Sequence, residues 1–260
     1  MQRIDTVVDG RPMAAWRTAG PGPPVVCVHG AGVSSREFLP FVNALGRRHD
    51  VWTVDLPGFG ASGGPVRPLG LRALADAVTA WTATAGLQGA VLLGSSFGCQ
   101  VAVDAAARHP GRFAGLVLVG PTVDAAARDP IRQALRWLRN SPAERASMAL
   151  LNLADYRDAG PRRVIGTFRE ALRDRVEDRL PLVRTPALVV RGARDRLVPQ
   201  EWAEEVTRLL PEGRLAVVPD AGHMVPYRRP DALAELVTGF LAGLAPAGGG
   251  TRPEQGRAQG

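Results

Sequence analysis

Ser96 stands in Gly94-Ser95-Ser96-Phe97-Gly98, a G-x-S-x-G pattern whose chemistry is nucleophilic attack by a serine hydroxyl. Such a serine needs a strand before it, a sharp turn that strains its backbone, and a helix after it. Glycines two residues either side let the chain turn without a side-chain clash. Ala90 to Leu93 is a short apolar run and Gln100 to Arg108 an Ala-rich helical pattern, so the context is met. The helix N-terminus also sets backbone N–H groups beside the serine, where developing negative charge would be stabilised. Gly60-Ala61-Ser62-Gly63-Gly64 fits the same pattern. No strand leads directly into it, and Pro65 and Pro68 break any helix after it, so Ser62 reads as part of a glycine-rich turn.

A serine hydroxyl is a weak nucleophile at neutral pH and needs a base, normally histidine. The chain has 4 histidines. His29 follows an apolar run, in His29-Gly30-Ala31-Gly32. His49 lies among charges in Arg47-Arg48-His49-Asp50, and His109-Pro110 ends the helix after Ser96; both read as surface residues. His223, in Asp220-Ala221-Gly222-His223, follows the last apolar run and is the candidate base. An acid must then fix the histidine tautomer and stabilise the imidazolium. Asp195 follows the run Ala187 to Val190, and Asp124 follows an earlier one. The chain order Ser, Asp, His favours Asp195, with Asp124 as the rival. An alternative role for Asp195 is capping the helix near Pro199, although several residues intervene.

These residues need a frame that brings them to one place. Val25–Val28, Val51–Val54, Ala90–Leu93, Leu116–Val119, Ala187–Val190 and Leu215–Val218 are continuous apolar runs rich in Val and bounded by Gly, Pro or Asp. Such runs suit strands of a parallel sheet buried on both faces. Amphipathic segments such as Leu71 to Ala85 and Glu201 to Leu210 alternate with them, which predicts an α/β fold with helices on both sides. Residues 1–20 suit an initial hairpin around Asp9-Gly10. The rhythm breaks between 122 and 183, where only helical patterns occur. In the first, Ile131, Leu135 and Leu138 form one stripe and Arg132, Arg136 and Arg139 lie off it. A second starts at Ser141-Pro142, with Glu144 completing a capping box, and a third runs from Pro161 to Asp178. After Leu244 the chain turns to Gly, Pro, Ala and polar residues, which reads as a disordered tail over 245–260.

Composition narrows the classes further. The 45% hydrophobic and 22% charged content over 260 residues suits one large folded domain. The net charge of +7 is carried by arginine alone, since lysine is absent, and the arginines are scattered without interleaved aromatics. No nucleic-acid footprint is expected from that pattern. Cys27 and Cys99 read as small core residues. No apolar stretch reaches the about 18 residues of a membrane span, and residues 1–5 do not resemble a secretion signal. The expectation is a cytoplasmic protein without membrane partners. No paired metal-ligand spacing and no phosphate-cradling loop ending in Lys-Ser/Thr occurs, so neither metal nor organic cofactor is expected.

Taken together, His29-Gly30-Ala31-Gly32, Asp55-Leu56-Pro57-Gly58-Phe59-Gly60-Ala61-Ser62, the Ser96 turn, the Asp195 segment and Gly222-His223 resemble the α/β-hydrolase family over residues 1 to about 244. The resemblance implies a mostly parallel, doubly wound eight-stranded sheet, with a core of 1–121 and 184–244 and a helical cap over 122–183. It implies a Ser96–Asp195–His223 triad, with the Ala31 and Phe97 amides as the oxyanion hole. The Asp55 to Ser62 stretch becomes a structural turn beside the site. A small-molecule ester or thioester substrate is the expectation, with the chain a monomer or homodimer. Serine at position 96 argues against the dehalogenase and epoxide-hydrolase branches. Two alternatives stay open. One is a carbon–carbon bond hydrolase of the meta-cleavage-product type, although Met224 and Ser95 stand where that branch usually has Trp and Asn. The other is a ligand-binding protein that uses the same fold without turnover.

Overall fold

In the computed structural model the described residues are 1–65, 67–140, 144 and 146–244. The Ser141-Pro142 helix start and the 245–260 segment lie outside them. The hairpin comes first, with β1 (Gln2–Val8) antiparallel to β2 (Arg11–Thr18). Asp9 and Gly10 turn it, both at positive φ (48° and 73°), as a type I′ turn requires. There follow β3 (Gly22–Val28), α1 (Leu39–Leu45), β4 (His49–Val54), α2 (Leu71–Thr84), β5 (Val91–Ser95), α3 (Phe97–Arg108) and β6 (Gly115–Val119). Then α4 (Pro130–Asn140), α5 (Ala146–Ala159) and α6 (Pro161–Arg173) intervene. The chain closes with β7 (Ala187–Gly192), α7 (Gln200–Leu209), β8 (Gly213–Val218), α8 (Val225–Arg228) and α9 (Pro230–Leu244).

The eight strands form one sheet in the order β1-β2-β4-β3-β5-β6-β7-β8. From β4 to β8 every neighbouring pair is parallel, and β2 joins β4 antiparallel. Successive side chains go to opposite faces, and both faces are covered. Val26, Val28, Leu92, Leu116, Leu118 and Val189 pack in one core with residues of α2, α3 and α7. Val25, Cys27, Val91, Leu93, Val117 and Val190 pack in the other with α1 and α9. This is why those runs read as continuous apolar stretches: each side chain buries about 1.5–3 kcal/mol of transfer free energy on one face or the other.

Three expectations need correction. Leu215–Val218 is not buried on both faces, because β8 is the edge of the sheet and Val217 is 40% exposed. His49 is not a surface residue: it starts β4 and is buried, despite its charged neighbours. The third helical pattern ends at Arg173 rather than Asp178: Asp174 turns extended, and two short 3₁₀ turns (Val176–Asp178 and Leu180–Leu182) follow. A further finding concerns α4, whose Ile131, Leu135 and Leu138 stripe is exposed, with Leu138 also at the cavity. Among the described residues no helix is long and apolar enough to cross a membrane.

The strand order reverses beside β3, whose neighbours β4 and β5 continue the chain in opposite directions across the sheet. In open α/β sheets such a reversal leaves a crevice outside the carboxyl ends of the strands. The segments carrying Ala31, Ser96, Thr122, Asp195 and His223 follow β3, β5, β6, β7 and β8 and so emerge at that end.

Candidate active site

Ser96 links β5 to α3 with φ 54° and ψ −117°, a backbone conformation that L side chains rarely adopt. The surroundings over-determine it. The Ser96 N–H donates to Val119 O at 2.9 Å, and Ser96 O accepts from Cys99 N at 3.0 Å. The flanking glycines are there for close approach: a Cβ on Gly94 would run into the Gly98 backbone, and one on Gly98 into Val28 O. Strand, turn, helix and the neighbouring strand β3 therefore meet at a spacing that only glycine permits. Ser96 itself is half-buried, and its Oγ lies 3.5 Å from Thr122 Oγ1.

His223 is buried, and its Nδ1 lies 2.8 Å from Asp195 Oδ2. With Nδ1–H donating to the carboxylate, the Nε2 lone pair is left free. Burial pushes the imidazolium pKa down, but the charge and hydrogen bond of Asp195 outweigh it, with Glu144 and Glu37 adding to the pull, and the net shift is upward. The other carboxylate oxygen, Asp195 Oδ1, accepts from Leu197 N (2.8 Å) and Val198 N (3.0 Å). Asp195 is thus fixed on both sides. It does not cap α7, whose N-cap is Pro199. The rival Asp124 is engaged elsewhere: it accepts from Ala126 N at 2.9 Å and pairs with Arg136 at 2.6 Å. Gly120, at φ +57°, makes room for the pair, since a Cβ there would stand 3.0 Å from His223 Nδ1 and 3.5 Å from Asp195 Oδ2.

Ser96, His223, Ala31 and Phe97 all line one cavity of about 550 Å³. Val33, Val123, Trp137, Phe168, Leu172 and Leu197 make most of its wall apolar, drawing on α4 and α6 as well as on the strand-end loops. Phe97 is the first residue of α3, so its N–H is one of the donors a helix leaves without an intrahelical acceptor. Among the described residues, Ser96 has no direct hydrogen bond to His223; its neighbour is Thr122. Apo hydrogen bonds of this kind are often long and tighten only around substrate.

The remaining histidines and the second G-x-S-x-G serine are structural. Buried His29 lies with Nδ1 2.9 Å from Gly30 O and accepts from Leu56 N at Nε2 (3.0 Å), so a neutral ring satisfies both; burial pushes its pKa down. Ser62 Oγ donates to Asp55 O (2.7 Å) and accepts from Ala14 N (2.8 Å). Asp55 takes Ser35 N and Ala61 N, which locks the turn beside the loop that holds Ala31. Cys27 and Cys99 are buried free thiols, both pushed upward in pKa by burial.

Sequence reasoning missed three residues here. Asp155 on α5 accepts from Ser34 N and Ser34 Oγ, both at 3.0 Å, and pairs with Arg36, tying the inserted helices to the loop that holds Ala31. Burial pushes its carboxyl up against the pull of Arg36 and Ser34. Tyr156, one residue on, packs its ring against Gly32. Glu37 is buried beneath the loop, accepts from Gly30 N at 3.2 Å and lines the cavity. Nothing in Ser35-Arg36-Glu37-Phe38 signals a buried acid; only the fold does.

Residues 25–236 match the model of the alpha/beta hydrolase family. The chain belongs to that family. It is 32% identical over 85% of its length to "Polyketide synthase ThaQ" of Burkholderia thailandensis, of which it spans only 12%. It is 30% identical over 85% of its length to a pimeloyl-[acyl-carrier protein] methyl ester esterase of Aromatoleum aromaticum, covering 99% of that protein. Among solved structures, a thermophilic esterase from Thermogutta terrifontis superposes with a TM-score of 0.77, covering 94% of this chain and 99% of that one. At 24% identity that likeness shows the fold. The α/β-hydrolase fold expected from the motifs is what the family match and the sheet order show.

Proposed function

We propose that the protein is a serine hydrolase that cleaves a small-molecule ester or thioester through an acyl-enzyme on Ser96. The observation that carries this reading is the His223–Asp195 pair at 2.8 Å, opening onto the same cavity as a serine held at positive φ. His223 Nε2 takes the proton from Ser96 Oγ as Oγ attacks the acyl carbon. The carbonyl oxygen, now negative, is held by the Ala31 and Phe97 amides. The protonated His223 gives its proton to the leaving alcohol or thiol, and the acyl group stays on Oγ. Water then repeats the sequence with His223 as base, releasing the acid and restoring Ser96. Asp195 keeps Nδ1 protonated and stabilises the imidazolium between the two transfers.

The ester preference is supported by the methyl ester esterase among the relatives and by the apolar cavity wall, which suits an acyl chain. In this reading residues 122–183 act as a cap, because α4, α5 and α6 all contribute to the wall. A fluorophosphonate probe tests the assignment. Wild-type protein is expected to be labelled and to hydrolyse nitrophenyl butanoate, with both properties lost in Ser96→Ala. Undiminished labelling of that variant would remove Ser96 from the mechanism, and an inert wild type would turn the site into a binding pocket.

A further inference from the structure

Glu37 is a carboxyl with no obvious reason to be where it is. It is 1% exposed, and among the described residues no arginine pairs with it. A charged carboxylate in such a place costs several kcal/mol, so natural sequences seldom keep one there without a role or a partner. Its carboxyl lies where the two segments that flank Ser96 meet. On one side it accepts from the Gly30 N–H at 3.2 Å, at the peptide immediately before Ala31. On the other it faces the buried Ser95 side chain, next to Ser96 in the turn that leads to Phe97, which holds the carboxyl's pKa down. Gly30 adds to the closeness: a Cβ there would meet Ser96 Cβ at 3.4 Å, Glu37 Oε2 at 3.7 Å and Ser95 O at 3.7 Å.

We propose that Glu37 is a positioning residue for the oxyanion hole, clamping the Gly30–Ala31 loop to the Ser95–Phe97 turn so that the Ala31 and Phe97 amides converge on one point. The inference rests on the Ser96 reading. Without the clamp, two loops from different strands set the distance between the donors by packing alone, and preorganised donors lose their advantage when they must first be arranged.

The charge state of the clamp matters as much as its presence. Burial pushes the Glu37 carboxyl up to about 8 against the pull of Gly30, Ser95 and His223. Below that pH it is neutral, and a neutral acid beside a forming oxyanion is harmless. Above it, an anion lies against the peptide before Ala31 and opposes the charge that the amides stabilise. The groups facing it differ in sign or range. On β3 and α3, Cys27 and Cys99 are pushed well above ordinary thiols. On α5, Tyr156 is pushed up to about 12, and Asp155 is held against Arg36. His223, after β8, gains activity on losing its proton, the opposite direction. A loss of rate on raising the pH through about 8 therefore belongs to Glu37.

The test uses Glu37→Gln, which keeps the hydrogen bonds and cannot ionise, and Glu37→Leu, which keeps the bulk and loses the clamp. For each, kcat and KM on nitrophenyl butanoate are measured across the neutral and alkaline range, with thermal melting as the check on folding. Wild-type kcat is expected to fall as the pH rises through about 8, and Glu37→Gln to show no such fall. Glu37→Leu is expected to lose at least about tenfold in kcat at neutral pH with KM nearly constant, short of the about 10²–10³ for deleting a donor outright. Glu37→Gln recovers most of that loss. The proposal is overturned if the alkaline profiles of wild type and Glu37→Gln coincide, or if a folded Glu37→Leu keeps its kcat or changes only KM. Should Glu37→Leu fail to fold, the Glu37→Gln profile decides alone. Failure here leaves Ser96→Ala inactive; failure of the Ser96 reading leaves that variant active, so the two are distinguishable.

Discussion

At the scale of single residues, the choice of acid is the point where geometry adds most to the residue pattern. Asp195 and Asp124 both follow strands, but only Asp195 has an oxygen on His223, at 2.8 Å, while Asp124 is spent on Ala126 and Arg136. If the triad reading holds, the two substitutions separate cleanly. Asp195→Asn removes the carboxylate that selects the Nδ1–H tautomer, and kcat is expected to fall by about 10⁴-fold. Asp124→Asn keeps an oxygen for the Ala126 N–H and is expected to change kcat by no more than a few-fold. Steady-state kinetics on one ester settle it, and equal losses in both variants would remove Asp195 from its place. The acid limb of the same profile has a fixed sign. The His223 pKa is raised, so the imidazole is protonated and idle at low pH, and kcat/KM is expected to climb with pH through a midpoint above 6.5. A midpoint below 6.5 would mean that burial, not Asp195, dominates the ring.

At the scale of elements, the strands and most helices were legible because every Val-rich run but the last is a strand covered on both faces. The misreadings share one cause: local pattern does not report what lies across the fold. Leu215–Val218 looks like the central strands but has no strand beyond it. His49 sits between charges yet starts a buried strand. Ser96, His223 and Asp195 stand out as candidates because each follows a run at the strand ends, and Ala31 through the family resemblance, whereas Glu37 and Asp155 gain their places only from tertiary contacts. Asp155 makes the strongest prediction of these. Asp155→Ala leaves the buried Ser34 N–H without an acceptor, which costs about 1–3 kcal/mol, and it also strips Arg36 of a partner. For a chain of this size, each kcal/mol shifts Tm by about 2–4 °C. Asp158→Ala, which breaks only the exposed contacts to Arg36 at 3.0 Å and Arg157 at 3.5 Å, is expected to stay within about 1 kcal/mol. Calorimetry of the two variants checks the contrast. Equal melting shifts would mean that α5 is not tied to the Ala31 loop through Asp155.

At the scale of the whole molecule, the sheet fixes the reacting groups while the helices between β6 and β7 complete the walls of the cavity. Arg163 on α6 reaches Gly58 O at 2.9 Å and Pro65 O at 2.8 Å, and Asn140 on α4 accepts from Arg196 N at 3.2 Å, so with the Asp155 contact all three inserted helices are anchored to core loops. An apolar wall of this kind has a consequence for substrate choice under the esterase reading. Each methylene moved from water onto Val123, Phe168, Leu172 and their neighbours contributes about 0.8 kcal/mol, equivalent to about fourfold in kcat/KM. Activity on nitrophenyl esters is therefore expected to rise by that factor per methylene from acetate through butanoate to hexanoate. It should level off once the chain fills the about 550 Å³ available. Phe168→Ala should flatten the rise and shift the plateau to longer chains, since it enlarges the wall and removes contact area. A profile that is highest on acetate, or that Phe168→Ala leaves unchanged, would show that the acyl group binds elsewhere and that the cavity takes the leaving group instead.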